Sequence, residues 1–447
     1  MIAIRPRLHV ALHLAAGGAL LLWAWALGHV PSLAVQWLPW QRPLTGLGLV
    51  LVAAAGLNRR QGVSRFSCRL CVAVLGLTGF LAAGEVGFRV AGYDFRHQAR
   101  ALAQTPPFYR KPTIPVGEVY FRRAGPLSWT GQVIRQQLRV LGYLDDPYRS
   151  EPEITVRYDR DGFRNEEPLP PWEVAVAGDS FVELGHLRFE ELFTTRLAEE
   201  LGRSVRNLGV SNTGPLSHLC YLKHFGVRPT LRDAVVVFYE GNDLQDLTAE
   251  YRALQYYQRT GKRPERTIRK QTSLLRAARE LWCSAGTGSP TPLPTNAWVT
   301  TRHGEVPVTL THRLDTTTRP TPESLEALAY FLSGFVAFAS EQGARAWLVY
   351  MPAKVRVFQG RFAWHTPADE QDALPLSAAL PAEIASACAA AGVRFHDLTP
   401  ALRAETTEAG MLGYNGLYDT HLDEAGAAIV ARELARRLAA PDQPTTR

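Results

Sequence analysis

Four short stretches of this 447-residue chain hold residue types that together could attack a carbonyl carbon. The first is Gly178-Asp179-Ser180-Phe181, which follows directly on the apolar run Val174 to Ala177. A serine at the C-terminal end of a buried strand lies at the sheet edge where α/β proteins bind ligands. A helix starting there favours negative charge that develops beside it. The second stretch, Asn207 to Pro215, is a turn rich in residues that tolerate positive φ, and such a turn can aim backbone N–H groups into a pocket. The third, Tyr239-Glu240-Gly241-Asn242-Asp243, ends a strand candidate with an asparagine whose amide can donate to an oxyanion. The fourth is Tyr418-Asp419-Thr420-His421-Leu422. In an extended loop residues i and i+2 point to the same side, so Asp419 and His421 can converge on the serine as orienter and base.

The elements needed to hold these stretches together are legible in the apolar pattern. Val174–Ala177, Val205–Leu208, Ala234–Tyr239, Ala346–Met351 and Val393–Phe395 are short, apolar or β-branched runs, which suits strands covered on both faces. Amphipathic stretches lie between them. Glu190–Leu201 ends at Gly202, Pro322–Gln342 starts behind Thr321 and ends at Gly343, and Leu422–Leu438 closes the domain. Strand–helix alternation of this kind predicts a parallel, doubly wound α/β sheet. From about 245 to 320 the helical rhythm breaks. This insertion has a basic first half (Arg252, Arg259, Lys262, Arg263 among others) and a Pro/Thr-rich second half, and reads either as a lid or binding loop or as a solvated surface arm. Residues 91–154 read as a linker and lead-in, and 441–447 as a disordered tail.

In order and placement the four stretches resemble the blocks of the SGNH/GDSL hydrolase family. Gly178-Asp179-Ser180 matches its first block, Asn207–Gly214 the glycine block, Gly241-Asn242-Asp243 the asparagine block, and Asp419-Thr420-His421 the final Asp/His block. Asp161-Gly162-Phe163-Arg164-Asn165 also resembles the GFRN lead-in of membrane-linked members. The resemblance covers roughly residues 155–440 and implies a flavodoxin-like three-layer α/β/α sandwich with ester hydrolysis or acyl transfer as its chemistry. Carried over position by position, it makes Ser180 the nucleophile, His421 the general base and Asp419 the residue that orients the imidazole. The oxyanion hole would combine the Ser180 N–H, an N–H of the second block and the Asn242 amide. Two departures stand out. The last pair is D-x-H where many members have D-x-x-H, as in some membrane-linked and alginate-acetylation relatives. The family's oxyanion glycine falls on Asn212, with Gly214 two residues on as the other candidate.

Several other polar residues read as structural. Glu183 and His186 follow the nucleophile closely and read as bystanders, while His218, His224, His365 and His396 lack a usefully spaced carboxylate. Neither zinc-type ligand spacing nor a phosphate-cradling glycine loop is present, so neither a metal nor another cofactor is expected. The five cysteines show no framework spacing. Cys68 and Cys71 form a CxxC outside any βαβ pattern, and Cys220, Cys283 and Cys388 read as core-filling thiols. The net charge of +7 comes from scattered arginines rather than a stripe, which argues against nucleic acid as a partner.

The N-terminal ninety residues predict a transmembrane helical region. Residues 8–30 are nearly continuous Leu, Ala, Gly and Trp, long enough to cross a bilayer core of about 30 Å. The runs at 44–57 and 70–87 are shorter and read either as tilted spans or as buried core helices. With three spans, Arg5, Arg7, Arg59, Arg60, Arg65 and Arg69 fall on the cytoplasmic side, and the catalytic domain is then extracytoplasmic. Three functional readings follow. The first is an esterase removing a small acyl group from an extracytoplasmic glycan or lipid. The second is an O-acyltransferase using the same residues, with a separate membrane protein as acyl donor. The third is a catalytically silent glycan-binding protein.

Overall fold

The computed structural model describes residues 11, 13–21, 49, 71–80, 83–84, 114–117, 120–131, 153–263, 295–310, 320–372, 377–409, 412–414 and 420–440. The chain divides into two compact units, Met1–Leu102 with Thr267–Gly288, and Ala103–Arg266 with Ser289–Arg447. In the first unit residues 13–21 and 71–80 are helical, and buried Ala16 and Cys71 pack with Leu20, Val74 and Leu75. Among the described residues no helix is long and apolar enough to cross a membrane. Of the expected spans, 8–30 is described only at 11 and 13–21 and 44–57 only at 49, whereas 70–87 is described at 71–80 and 83–84; Cys68, Cys283, the tail 441–447 and most of the linker 91–154 lie outside the described residues.

The second unit opens with β1 (Ile114–Val116), β2 (Tyr120–Arg122), β3 (Leu127–Gly131) and β4 (Ile154–Tyr158), which pair as two antiparallel ribbons, β1 with β2 and β3 with β4. The α/β core follows: β5 (Val174–Gly178), α1 (Ser180–Glu183), α2 (Phe193–Leu201), β6 (Val205–Gly209), α3 (Pro215–Tyr221), β7 (Asp233–Tyr239) and α4 (Asp243–Thr260). After a hairpin of β8 (Ala297–Thr301) and β9 (Gly304–Val308) come α5 (Pro322–Glu341), β10 (Arg345–Met351), α6 (Lys354–Val357) and β11 (Phe362–Trp364). The chain then runs through α7 (Pro367–Asp372), α8 (Leu380–Ala391), β12 (Arg394–Asp397), α9 (Thr399–Ala409) and α10 (Glu424–Ala439).

The five strands expected from the apolar runs form one parallel sheet in the order β12-β10-β7-β5-β6. Counted along the chain this is the 2-1-3-4-5 order of doubly wound sheets, whose direction of winding reverses between β5 and β7. Alternate residues face opposite layers. Ala175, Ala177, Val236, Phe238 and Leu348 pack under α3, α5 and α8, whereas Val174, Val176, Val235, Val237 and Val349 pack under α2 and α10. Each central strand is thus apolar on both faces, which is why it carried no period-two pattern in the sequence.

Two expectations about helices are corrected. The irregular insertion was read from 245, yet α4 continues unbroken to Thr260. Only Leu244, Leu247, Tyr251 and Leu254 among its residues supply a buried apolar stripe, so a mostly polar sequence hid a narrow amphipathic face. The last helix was read from Leu422, but it starts at Glu424, with the Asp423 carboxylate capping the Gly426 N–H at 2.8 Å. Leu422 instead forms a bridge to Tyr414. The start of α5 behind Thr321 is as expected, because its hydroxyl accepts from the Ser324 N–H in a capping box.

The end of β6 lies directly against the turn after β5. A Cβ on Gly209 would sit 2.4 Å from the Glu183 nitrogen and 2.6 Å from the Val182 carbonyl carbon. Both obstacles are backbone, so neither can rotate away. Gly209→Ala should therefore destabilise the chain by about 2 kcal/mol, as overpacking typically does, measured as a lower denaturant midpoint. An unchanged midpoint would show that β6 and α1 can separate at no cost.

Candidate active site

The site lies at the C-terminal edge of the sheet, where the winding reverses. Ser180 follows β5, Asn242 follows β7, and Asn212 lies in the turn after β6. At Ser180 the chain passes from strand into a single turn of helix. Asp179 caps that turn, accepting from the Phe181 N–H at 2.9 Å and from the Ser180 hydroxyl at 3.3 Å. His421 is brought beside it: its ring centroid is 4.8 Å from that of Phe181 and 5.9 Å from that of His186. The neighbouring backbone is tied down, since the Leu422 carbonyl meets His186 Nε2 at 2.9 Å and Tyr414 donates to the Pro352 carbonyl at 3.0 Å. Burial raises the pKa of Asp179, and the nearby His421 works against that rise. Asp419 lies outside the described residues.

One turn of helix cannot stabilise itself, and α1 is held from outside. Buried Glu183, at its end, accepts from both Arg123 Nε and Nη2, from the Tyr158 hydroxyl at 2.5 Å, and from the Ser211 N–H at 2.6 Å and the Ser211 hydroxyl. The lead-in stretch reinforces the same turn. Buried Arg164 donates to the carbonyls of Leu184 (2.5 Å) and Leu187 (2.9 Å), just after Leu184 takes the left-handed conformation at φ 39°. Asn165 exchanges hydrogen bonds with the Asn207 backbone, and the Asn207 amide reaches the Val182 carbonyl at 3.0 Å. Arg164, Asn165 and Glu183 were not assigned these roles from the sequence. Nothing in their spacing shows that three segments distant in the chain meet on one four-residue turn.

The second and third blocks are joined through α4. Asn212 is exposed at φ 62°, the left-handed conformation its side chain tolerates, and no hydrogen bond engages its N–H among the described residues. The Gly214 N–H is committed elsewhere, donating to Glu250 Oε1 at 2.8 Å. Glu250 also takes the N–H groups of Leu216 (3.0 Å) and Ser217 (3.1 Å) and the Ser217 hydroxyl, so it caps the start of α3. The Asn242 amide nitrogen donates to Asp246 Oδ2 at 2.8 Å, while its Oδ1 is buried with no partner. Buried Asp243 accepts the Tyr239 N–H at 2.7 Å and fixes the strand end.

Two acid groups therefore flank the nucleophile with opposite electrostatics. Burial alone would raise Glu183, but Arg123, Ser211 and Tyr158 outweigh it and bring its pKa down to about 2. Among the described residues no cation pairs with Asp243, Asp246 or Glu250. Burial pushes Asp246 up to about 6, with Asp179 adding repulsion, and Glu250 up to about 7 against the pull of its donors. Asp243 is raised well above the usual carboxylate range by burial and by Asp179. Two further histidines read as structural lie elsewhere: His218 is buried and its pKa falls to about 3, and the His365 ring lies 4.8 Å from that of Trp298 at a tilt of 40°. Cys71, Cys220 and Cys388 are buried thiols outside any disulfide. Among the described residues no group of acids, histidines and cysteines is arranged to hold a metal ion.

The Glu183 ion pair sets an acid limit on stability. Because its folded pKa is depressed, its contribution is present above about pH 4.5 and is lost as the pH falls towards about 2; it amounts to roughly 3 kcal/mol. Glu183→Gln should thus cost most near neutral pH, and the gap between variant and wild type in unfolding free energy should close on acidification. A gap of constant size down to pH 2 would refute the linkage.

Residues 314–446 match the family model of the SGNH hydrolase-like domain of the acetyltransferase AlgX. None of the curated proteins matches the chain. Among solved structures, a protein assigned to the SGNH hydrolases from Slackia heliotrinireducens is similar at 14% identity, covering 60% of this chain and 100% of its own, with a TM-score of 0.30. A member of the lipolytic G-D-S-L family from Veillonella parvula shows 10% identity over 59% of this chain and 96% of its own, with a TM-score of 0.29. The C-terminal region of the chain, residues 314–446, is thus similar to the SGNH hydrolase-like domain of the acetyltransferase AlgX.

Proposed function

We propose that this protein is a serine-dependent esterase that removes an acyl group from an extracytoplasmic glycan or lipid. The observation that supports the reading is that Ser180 and Asn242 follow the neighbouring strands β5 and β7 at the reversal point of the sheet, with the His421 ring packed on Phe181, the residue after Ser180. The Ser180 hydroxyl adds to the ester carbonyl carbon as His421, oriented by Asp419, accepts its proton. The carbonyl oxygen takes up the electron pair as an oxyanion and is met by the N–H groups of Ser180 and Asn212 and the amide of Asn242. Collapse of the adduct breaks the bond to the alcohol, which leaves with the proton from His421. Water then attacks the acyl-serine with the same base and releases the carboxylic acid.

A second reading follows from the match to the AlgX domain. In it a sugar hydroxyl takes the place of water and the product is an O-acylated polysaccharide, with the acyl group delivered by a separate membrane protein. Both readings use Ser180 and His421 identically and differ only in the acceptor. Either fits a membrane-tethered chain whose catalytic unit faces the outside, as the N-terminal apolar runs and their flanking arginines suggest.

The test is p-nitrophenyl acetate turnover by the full-length chain beside Ser180→Ala and His421→Ala, with and without an added polysaccharide acceptor. Both variants should lose at least about a thousandfold in kcat, as triad members do. Turnover in water alone supports the esterase; turnover that needs the polysaccharide, with acyl groups found on it, supports the transferase. Retention of activity in Ser180→Ala would overturn both, and an inactive wild type that still binds polysaccharide would leave a binding protein.

A further inference from the structure

Asn242, Asp246 and Glu250 are spaced four residues apart and fall on one face of α4. This face touches the second block directly. A Cβ on Gly214 would lie 2.9 Å from the Asp246 carbonyl carbon, its Cβ and the Glu250 Oε2 atom. Glu250 takes three successive donors of the 214–217 turn, so the register between α4 and that turn is fixed. The Asn242 side chain does not cap its own helix; its amide turns inward onto Asp246. Its other end supplies no restraint, because Oδ1 is buried without a partner. The single bond to Asp246 Oδ2 therefore decides which way the amide faces.

We infer that Asp246 is a positioning residue that holds the Asn242 amide with its second N–H free to meet the developing oxyanion. The inference rests on the acyl-chemistry reading of Ser180 and deepens it. An amide has two N–H donors. One occupied by a fixed carboxylate leaves the other in a set direction, and in a water-poor site a set donor stabilises charge without reorganising. If Asp246 is removed, rotation about the terminal side-chain bond can bring Oδ1 towards the oxyanion, turning a donor into a repulsive acceptor. Asp179, Asp243 and Glu250 are the other ionisable groups that act on this region, and all three are acids. Among the described residues no cation pairs with Asp246 or with the Asn242 amide.

The experiment is kinetic, on the full-length chain with p-nitrophenyl acetate. Asp246→Ala should lower kcat about 10- to 100-fold, somewhat less than outright loss of an oxyanion donor, and leave KM within about twofold. Asp246→Asn keeps an acceptor oxygen in the same place and should retain kcat within about threefold. In an Asn242→Ala background, Asp246→Ala should cause no further loss, because the group it positions is gone. A full additional loss in that background, a change in KM alone, or wild-type rates in Asp246→Ala would each overturn the inference. Should the wild type show no Ser180-dependent turnover, the acyl reading fails, and the positioning claim is then judged on the Asn242 side-chain amide resonances, identified by their loss in Asn242→Ala. They should shift in Asp246→Ala and stay in place in Asp246→Asn; unshifted resonances in Asp246→Ala would sink it.

Discussion

The arrangement depends on one buried carboxylate. Glu183 closes the four-residue turn that carries Ser180, and it is the only point at which the N-terminal ribbons, the nucleophile turn and the second block share an atom group among the described residues. Its position is costly in isolation, because an ionised acid removed from water is disfavoured by several kcal/mol. Arg123 supplies the counter-charge and two donors, Tyr158 a third, and Ser211 two more. Removing any one partner leaves the charge in place and the others strained around it. A turn too short to hold itself is thus fixed by a group whose own burial is tolerable only while all three segments are in register.

The acids on the other side of the nucleophile follow the opposite rule. Asp243, Asp246 and Glu250 accept from N–H and hydroxyl donors, Asp243 Oδ1 being left without a partner, and no cation pairs with them among the described residues, so burial and repulsion between acids raise them. Near neutral pH this group carries less negative charge than its composition implies. The consequence bears on catalysis. An oxyanion forming beside Asn242 would be opposed by a full set of ionised neighbours, and partial protonation relieves that opposition. Burial raises Asp179 as well, and the nearby His421 works against that rise. The site therefore separates two acid populations by whether an arginine was placed beside them.

Much of this was readable in the sequence, and the remainder was hidden for identifiable reasons. The central strands β5, β7 and β10 announced themselves because each is covered on both faces and so is largely apolar, whereas the edge strands β6 and β12 showed only short apolar runs beside polar residues such as Arg206 and His396. The blocks around Ser180, Asn212, Asn242 and His421 stood out because turns at strand ends need particular residue types. The supports did not. Arg123, Tyr158 and Glu183 are 60 residues apart at the extremes, and no local pattern reports a contact that exists only after the ribbons fold over the sheet. Asp246 and Glu250 were lost in a segment read as irregular, although their spacing from Asn242 is the helical one. The choice between Asn212 and Gly214 needed the partner as well: Gly214 fails as a donor because Glu250 already holds its N–H.

Hydrolysis and transfer place the same demand on this machinery up to the acyl-serine, so nothing that holds Ser180, His421 and Asn242 can discriminate between them. The difference arises only when the second nucleophile arrives. Water is present at about 55 M in solution and will win unless an acceptor hydroxyl is held close, where effective molarities can exceed that concentration by orders of magnitude. A transferase of this design must therefore bind its acceptor on the open side of the nucleophile turn. Glu183, Arg164 and Asn165 occupy the side that faces the lead-in, and Asp246 with Glu250 the side that faces α4. The side towards His421 is where an acceptor hydroxyl would have to enter, since the base must reach its proton. On the proposed chemistry His421 has to activate whichever hydroxyl is used, and the backbone contact that holds Leu422 beside it would then also constrain the choice of acceptor.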